Sequence, residues 1–340
     1  MGMGLLVSIL IVGEILSTRL TRRIVMQNLA LSFMEVLAER VTLDNQARAN
    51  LKALEKGKQG EDAFRERVKE LLPEGWLMLC DLKLPTSASY CQIDALVIAP
   101  HCVYVFEVKN YQAKYQYDEG RLASQSGLSP IRDPFGQIQR AVTVVKDALS
   151  YQIPVTGRVV YMQEYDTVDF QGQRSGEYLK RWQLQDFFEK EAEMAMYRFD
   201  PESVRSVLLV QQIQDYHCIN YQGLSLRPQA RTGILCEGCL SGAVRRNSRV
   251  HIACERCGKL EALERAVVRT IYDYGVLYYQ DELKIQPVHA FVGQDVNLHT
   301  LRTILKKHFV VHNHNKSSYY ENPRTRFTYL AKDYRFKYDV

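Results

Sequence analysis

The chain has 340 residues, more than a single domain of ~100–200 residues ordinarily holds, so we expect two or three domains. Hydrophobic residues make up 46% and charged residues 24%, a globular composition that excludes a mainly disordered, collagenous or coiled-coil chain. The formal net charge of +5 is a mild excess, which permits an anionic partner without requiring one.

Residues 4–16 form an apolar segment that contains one carboxylate, Glu14. The segment is shorter than the ~20 residues of a membrane-spanning helix, and a secretory signal peptide fits poorly because no positive charge precedes it. Two interpretations stay open, an anchor on the inner face of a membrane and an amphipathic or buried helix. The eight cysteines do not resemble a disulfide framework, so we expect the protein in the cytoplasm, free or attached to the membrane through residues 4–16.

Apolar residues recur at three- and four-residue steps between residues 19 and 72, which predicts helices. Gly57 and Gly60 interrupt this pattern. We therefore expect a helical spacer that ends at residue 56 and a second amphipathic helix that begins at Glu61.

Three short runs of apolar and β-favouring residues follow and predict three strands, at residues 76–84, 91–99 and 102–109. Helical spacing returns at residues 134–149, and residues 155–162 indicate a further buried strand. The expected order is helix, three strands, helix and strand. Two more helices are predicted at residues 182–196 and 201–213.

Charged residues stand inside two of the predicted strands. Residues two apart in a strand share a face, so Glu107 and Lys109 are expected to project together. Asp94 lies in the preceding strand, and a hairpin that turns near residue 100 would bring it close to Glu107. Charges within a buried strand are costly unless they are paired or bind a metal, which makes these three residues candidates for a functional site.

Two carboxylates and a lysine suit the hydrolysis of phosphodiester bonds. Carboxylate oxygens can hold Mg²⁺, which polarises a phosphoryl group and acidifies a bound water, and a lysine stabilises developing negative charge. The alternative is a surface Glu–Lys pair on an edge strand together with an aspartate that starts a turn. The short pattern alone does not decide between them.

Four segments, taken in order, resemble the nuclease-related domain (NERD) family, whose fold is similar to the restriction-endonuclease-like PD-(D/E)xK core. The segments are Gly57-Lys58-Gln59-Gly60-Glu61, Gln92-Ile93-Asp94, Phe106-Glu107-Val108-Lys109-Asn110-Tyr111 and Asp133-Pro134-Phe135-Gly136-Gln137. The resemblance covers about residues 57–165. It implies an α/β fold with an αβββαβ core and a nuclease activity.

The resemblance also implies a role for each matching residue. Asp94 and Glu107 would bind Mg²⁺ or Mn²⁺, and Lys109 would be the catalytic lysine. Glu61 would add an acidic group from the first helix, and Gln137 would approach the site or the nucleic-acid backbone. For the last two residues the alternatives are an acidic residue favoured by a helix dipole and an ordinary surface glutamine.

This sequence departs from the superfamily pattern at one position, because Ile93 rather than proline precedes Asp94. Proline supplies backbone shape rather than chemistry, so the exchange is tolerated in principle. Without that proline, the residue before Asp94 does not itself fix the turn of this strand.

Two CxxC motifs separated by fourteen residues predict a structural Cys₄ zinc site. The predicted ligands are Cys236, Cys239, Cys254 and Cys257. Dithiol redox chemistry is the alternative, which paired motifs at this spacing disfavour. The intervening loop carries Arg245, Arg246 and Arg249, which suit contact with phosphates.

Residues 260–274 form an amphipathic pattern that predicts a helix, followed by a short helix, a turn, a third helix at residues 298–309 and strand-like residues. This order resembles a winged helix-turn-helix. In that interpretation Asn297 caps the recognition helix, and Arg302, Lys306 and Lys307 contact nucleic acid. A small helical domain with a basic surface is the alternative.

The sequence therefore predicts five parts, namely an apolar segment and spacer (1–56), a nuclease-like domain (57–165), a helical connection (166–230), a zinc ribbon (231–258) and a helix-turn-helix-like module (259–340). The leading hypothesis is a metal-dependent nuclease that acts in DNA processing, with RNA as a second candidate substrate. The alternative is a non-catalytic DNA-binding protein, tethered to a membrane in one version, that uses an inactive nuclease-like scaffold.

Overall fold

The computed structural model describes residues 29–325 except residues 112–113, 119–120, 125–132, 166–167, 171–173, 195, 214–223, 294 and 313–317. The apolar segment at residues 4–16 lies outside the described residues. Within them, every helix is too short or too polar to cross a bilayer.

The part of the chain up to residue 211 alternates between strands and helices. The strands are β1 (Leu77–Pro85), β2 (Tyr90–Ile98), β3 (Val103–Lys109), β4 (Tyr115–Asp118), β5 (Arg121–Ser124), β6 (Val155–Tyr161), β7 (Val168–Asp169) and β8 (Tyr178–Lys180). The helices are α1 (Leu29–Arg40), α2 (Asn45–Leu71), α3 (Pro134–Ala148), α4 (Leu184–Glu193) and α5 (Pro201–Gln211).

A five-stranded mixed sheet in the order β1-β2-β3-β6-β8 forms the centre of this part. The first three strands are antiparallel, whereas β3, β6 and β8 run parallel. This arrangement confirms the predicted α/β class and the predicted order of the core. A smaller sheet in the order β5-β4-β7 was not predicted, because strands of two to four residues are too short to show a period.

Helices cover both faces of the central sheet. On one face α2 and α4 pack through Phe64 and Phe188 against Phe106 of β3. On the other face α3 packs through Ile138 and Val145 against apolar residues of the same strands. The carboxyl end of β3 consequently lies between two layers of helices.

Helix α2 is continuous from Asn45 to Leu71, so the prediction of a break at Gly57 and Gly60 is wrong. The helix begins at Asn45 because the Asp44 carboxylate accepts a hydrogen bond from the backbone N–H of Ala47, at 2.7 Å. Gly60 serves packing instead, since a Cβ there would lie 2.5 Å from Cβ of Asn110, just after β3. The predicted domain limit at residue 57 thus falls inside a helix.

The C-terminal part contains a small three-stranded sheet in the order β11-β10-β9, a helical group and a two-stranded hairpin. Its elements are β9 (Val244–Arg246), β10 (His251–Cys254), β11 (Leu260–Ala262), α6 (Leu263–Leu277), α7 (Ile285–Val292), α8 (Leu298–His308), β12 (Val311–His312) and β13 (Tyr319–Tyr320). Helix α6 begins three residues later than predicted because residues 260–262 pair with β10. Asn297 caps α8 as predicted, accepting a hydrogen bond from the N–H of Thr300 at 2.8 Å.

Helix α1 and the start of α2 share one hydrophobic core with the C-terminal helices. Phe33 and Leu37 of α1 are fully buried in the same cluster as Val267 and Ile271 of α6 and Leu301 of α8. The central five-stranded sheet, called the nuclease-like sheet below after the domain predicted from the sequence, has separate hydrophobic clusters. The predicted spacer is therefore part of a folded core that the C-terminal helices α6 and α8 complete.

A buried ion pair lies in this shared core. The Arg40 side chain is 0% exposed, and its Nη2 lies 2.9 Å from Oδ2 of Asp273 in α6. Its Nη1 donates to the backbone carbonyls of Arg231 at 2.8 Å and Gly233 at 3.2 Å, and the guanidinium stacks over the Phe291 ring. Burial lowers the pKa of Arg40, and the Asp273 charge opposes that shift.

Replacing Arg40 with leucine is expected to reduce the free energy of unfolding of this core by about 3–5 kcal/mol, because the Asp273 carboxylate stays buried without its partner. The double variant Arg40→Leu/Asp273→Leu should recover most of the loss. Urea titration monitored by hydrogen exchange in α1 and α6 measures both effects. Arg48→Leu, on the exposed surface of α2, is the control, and an equal loss from it would contradict the structural role of the pair.

Candidate active site and zinc site

The register of β2 and β3 places Asp94 next to Glu107. Ala95 pairs with Phe106 in the antiparallel ladder. Asp94 precedes Ala95 and Glu107 follows Phe106, so the two acidic residues lie opposite each other. The Asp94 carboxylate accepts a hydrogen bond from the backbone N–H of Val108 at 2.9 Å. The sequence expectation that the hairpin joins these two residues is confirmed.

Glu107 and Lys109 project to the same side of β3, as strand periodicity predicts. Lys109 Nζ lies 2.6 Å from Glu107 Oε1. Glu107 is only 7% exposed, although it carries a charge. The ion pair is therefore built into the sheet, and the alternative of a pair on an exposed edge strand does not fit.

Glu61 is half-buried in the middle of α2, where its charge acts on Asp94. The helix-dipole alternative for Glu61 fails, because the residue lies sixteen positions after the first residue of α2 rather than in its first turn. Burial raises the pKa of Glu61, and the nearby charge of Lys58 opposes the shift.

Asp81 is an acidic residue near the site that was not predicted. The ladder pairs Cys80–Ala95 and Leu82–Ile93 flank both Asp81 and Asp94, and Asp81 adopts a left-handed backbone with φ of 53°. Its carboxylate accepts a hydrogen bond from Gln92 at 2.9 Å and lies 3.8 Å from Lys83. Counting back from the hairpin would have identified it, since residues opposite each other in an antiparallel pair are neighbours.

The electrostatics of this group favour a bound cation. Burial raises the pKa of Asp94 to about 7, and the Glu107 charge adds to the effect. Burial likewise raises the pKa values of Glu61 and Asp81. Carboxylates that lose solvation and repel one another are stabilised by a divalent ion. Asp94 and Glu107 fit Mg²⁺, which proteins often hold through one or two carboxylates with substrate phosphates as further ligands.

The raised pKa of Asp94 gives a pH dependence to stability without Mg²⁺. Native Asp94 retains a proton up to a pH of about 7, whereas the unfolded carboxyl releases it near ~3.9, so stability falls as the pH rises between these values. Asp94→Asn is expected to be more stable than the wild type above pH ~7 by about 1–2 kcal/mol and similar near pH ~4.

Urea unfolding of the zinc-loaded protein, followed by tryptophan emission, measures this difference. Both tryptophans, Trp76 and Trp182, lie in the same part of the chain as Asp94. Glu66→Gln on the exposed side of α2 is the control. A wild-type pH profile retained in Asp94→Asn would rule out Asp94 as the source.

Gln137 lies half-buried in the first turns of α3. The helix begins as predicted, because the Asp133 carboxylate accepts hydrogen bonds from the N–H groups of Phe135 and Gly136, both at 3.0 Å. Among the described residues, no hydrogen bond joins Gln137 to the Asp94, Glu107 and Lys109 group. Its role stays a prediction.

The four predicted zinc ligands come together. Their Sγ atoms all lie within 4.8 Å of one another, with Cys236 and Cys257 3.5 Å apart and Cys239 and Cys254 3.6 Å apart. Backbone N–H groups of residues 257 and 256 lower the pKa of Cys254, which favours a thiolate there, whereas burial and contacts with the other three cysteines raise the pKa of Cys239. This Cys₄ cluster fits a structural zinc ion, as the spacing predicts.

The predicted nucleic-acid residues are all exposed. They are Arg245, Arg246 and Arg249 in the ribbon and Arg302, Lys306 and Lys307 on α8. Two of them form ion pairs, Arg245 with Glu255 at 3.4 Å and Lys307 with Glu264 at 2.6 Å. Their contact with nucleic acid stays a prediction.

Comparison with known families gives one finding. Residues 56–162 match the model of the nuclease-related domain family. No curated protein and no solved structure significantly matches the chain. The match includes all five residues of the predicted catalytic set.

Proposed function

From the nuclease-related domain at residues 56–162, we propose that the protein is a metal-dependent nuclease that acts in DNA processing. One observation carries the proposal, the buried ion pair of Glu107 and Lys109 beside Asp94 at the carboxyl end of β3. A merely structural Glu–Lys pair would be more stable on the surface, where neither charge loses its water.

Each side chain has a distinct part in the proposed reaction. Asp94, oriented by the Val108 N–H, and Glu107 would hold Mg²⁺ or Mn²⁺ through carboxylate oxygens. When bound, the ion would polarise the phosphoryl group and acidify a water. Lys109 would place its positive charge where negative charge develops on the phosphate, and Glu107 fixes the ammonium group in that position.

The C-terminal half would hold the substrate. The exposed arginines of the zinc ribbon and the basic residues of α8 would contact phosphates without regard to sequence. The order of three helices and a short hairpin supports a winged helix-turn-helix as the DNA-binding module. DNA affinity of the chain would therefore fall steeply as salt is raised.

Lys109→Ala is expected to slow cleavage by about 10²–10³-fold, because one preorganised positive charge is lost from the transition state. The assay follows nicking of plasmid and degradation of labelled single-stranded DNA and RNA by zinc-loaded protein, with and without Mg²⁺ or Mn²⁺. Lys114→Ala, an exposed lysine five residues later, is the matched control.

Metal-dependent cleavage that Lys109→Ala loses and Lys114→Ala retains would support the proposal. Wild-type protein that binds DNA but cuts nothing with any metal would favour the non-catalytic scaffold. Equal activity of the two variants would place the reaction elsewhere in the chain.

A further inference from the structure

A cleft beside the carboxyl ends of β6 and β8 has no part in the mechanism above. It is lined chiefly by Tyr161, Gln163, Tyr165, Phe170, Lys180 and Trp182. The space that it encloses, ≈ 10 Å³, holds about one water and no larger ligand. A planar ring could therefore lie only across the open mouth of the cleft, against its exposed side chains.

The walls of the cleft carry exposed aromatic rings next to a positive charge. Trp182 is 51% exposed and Tyr165 is 55% exposed, whereas Phe170 is buried. Lys180 Nζ lies 5.3 Å from the centre of the Trp182 ring. Exposed aromatic rings beside cations are the surface that proteins use to bind unpaired nucleic-acid bases.

A second observation points to a ligand. Tyr161 lines the cleft and is 5% exposed, and its hydroxyl has no hydrogen-bond partner among the described residues. A buried hydroxyl without a partner costs about 1–3 kcal/mol, so such groups in proteins usually serve a ligand or a water. The hydroxyl can donate to or accept from the polar edge of a base.

The sheet register places this cleft beside the proposed catalytic lysine. Lys109 pairs with Tyr161, and Tyr161 pairs with Lys180, so these three residues form a row across three parallel strands. Two strand spacings separate the ends of the row by roughly 10 Å. When a phosphate of a nucleic-acid strand lies at Lys109, a neighbouring nucleotide of the same nucleic-acid strand can therefore reach the cleft.

We propose that the mouth of this cleft binds one unpaired base of the substrate strand, stacked on the exposed ring of Trp182 beside the cleaved phosphate. The substrate class would then be single-stranded or frayed nucleic acid rather than intact duplex. This inference rests on the proposed nuclease function. Lys180 would contact the phosphate of the stacked nucleotide, and the Tyr161 hydroxyl would bond its base through one water held in the cleft.

The test measures binding rather than cleavage, in a Glu107→Gln background of the full zinc-loaded chain. Fluorescence anisotropy compares Trp182→Ala and Trp182→Phe with the Glu107→Gln parent, using labelled single-stranded DNA, single-stranded RNA of the same sequence, and the blunt DNA duplex. Loss of stacking should weaken single-strand binding by about 5- to 150-fold in Trp182→Ala. Trp182→Phe, which keeps a stacking ring, should stay within about threefold of the parent.

The outcomes separate this inference from the function on which it rests. A loss of affinity for single strands but not for the duplex supports the proposed role of the cleft. A loss confined to DNA or to RNA identifies which of the two nucleic acids it binds. Single-strand binding that survives Trp182→Ala, or an equal loss with the exposed control Tyr197→Ala, overturns the cleft alone. A parent protein that binds none of the three nucleic acids overturns both proposals.

Discussion

Glu107→Gln is expected to reduce metal-dependent cleavage by at least about 10³-fold, which corresponds to roughly 4 kcal/mol in the activation free energy. The amide has the shape of the carboxylate but lacks its charge, so the anionic metal ligand and the ion pair with Lys109 are both lost. The fold should persist, because glutamine can still accept a hydrogen bond from the ammonium group.

Two readouts make this prediction specific. Single-turnover cleavage at saturating substrate separates the chemical step from binding. Manganese titration by electron paramagnetic resonance reports whether the metal affinity of the same variant has fallen. The pKa of Asp94 should also fall, since the Glu107 charge is one of the causes that raise it. Glu66→Gln is the matched control, and equal losses in both variants would exclude a direct role for Glu107.

Removal of zinc is expected to unfold the ribbon while the nuclease-like sheet stays folded. Structural zinc supplies roughly 10–16 kcal/mol of apparent binding free energy in small modules, more than a ribbon of three short strands gains from its core. Cys254→Ser should have the same effect as a chelator. Hydrogen exchange should increase at residues 235–262 and change little in β2 and β3.

Metal analysis measures the stoichiometry directly. We expect one zinc ion per chain in the wild type and in Cys91→Ser, whose cysteine lies in β2, and none in Cys254→Ser. A ribbon that keeps its protection without any metal would contradict a structural zinc site. Paired disulfides in the purified wild type would favour the redox alternative.

Periodicity and hairpin counting were sufficient to bring the three central residues together. Glu107 and Lys109 share a face because strand side chains alternate, and the short turn after β2 sets the register that brings in Asp94. Long apolar strands and capped helices can be located in a sequence from the pattern of neighbouring residues alone. The core helices and the zinc ligands were predictable for the same reason.

The parts that were missed depend on contacts between distant segments. The left-handed residue Asp81 reverses the alternation of β1, so that Leu79 and Leu82 pack against the same cluster. No local pattern reports such a reversal. Gly60 looked like a helix breaker because its reason, the close approach of Asn110, lies fifty residues away.

Helix α2 joins the two halves of the protein as one element. Its 27 residues span about 40 Å, with Ala47 in the C-terminal core and Phe64 and Val68 in the nuclease-like core. Glu61 of the candidate site therefore lies on the same continuous helix that packs in the C-terminal core.

The two sides of the shared core are far apart in the sequence, so this core can form only after a delay during biosynthesis. Helix α1 leaves the ribosome well before its partner α6, which begins roughly 220 residues after Arg40. At a synthesis rate of ~5–20 residues per second, the apolar side of α1 stays exposed for about 10–45 s before α6 is available to pack against it. The nuclease-like sheet can form within that interval, so the proposed active site would be complete before α1 packs against α6. The newborn chain therefore has a defined period in which chaperones would find α1 uncovered.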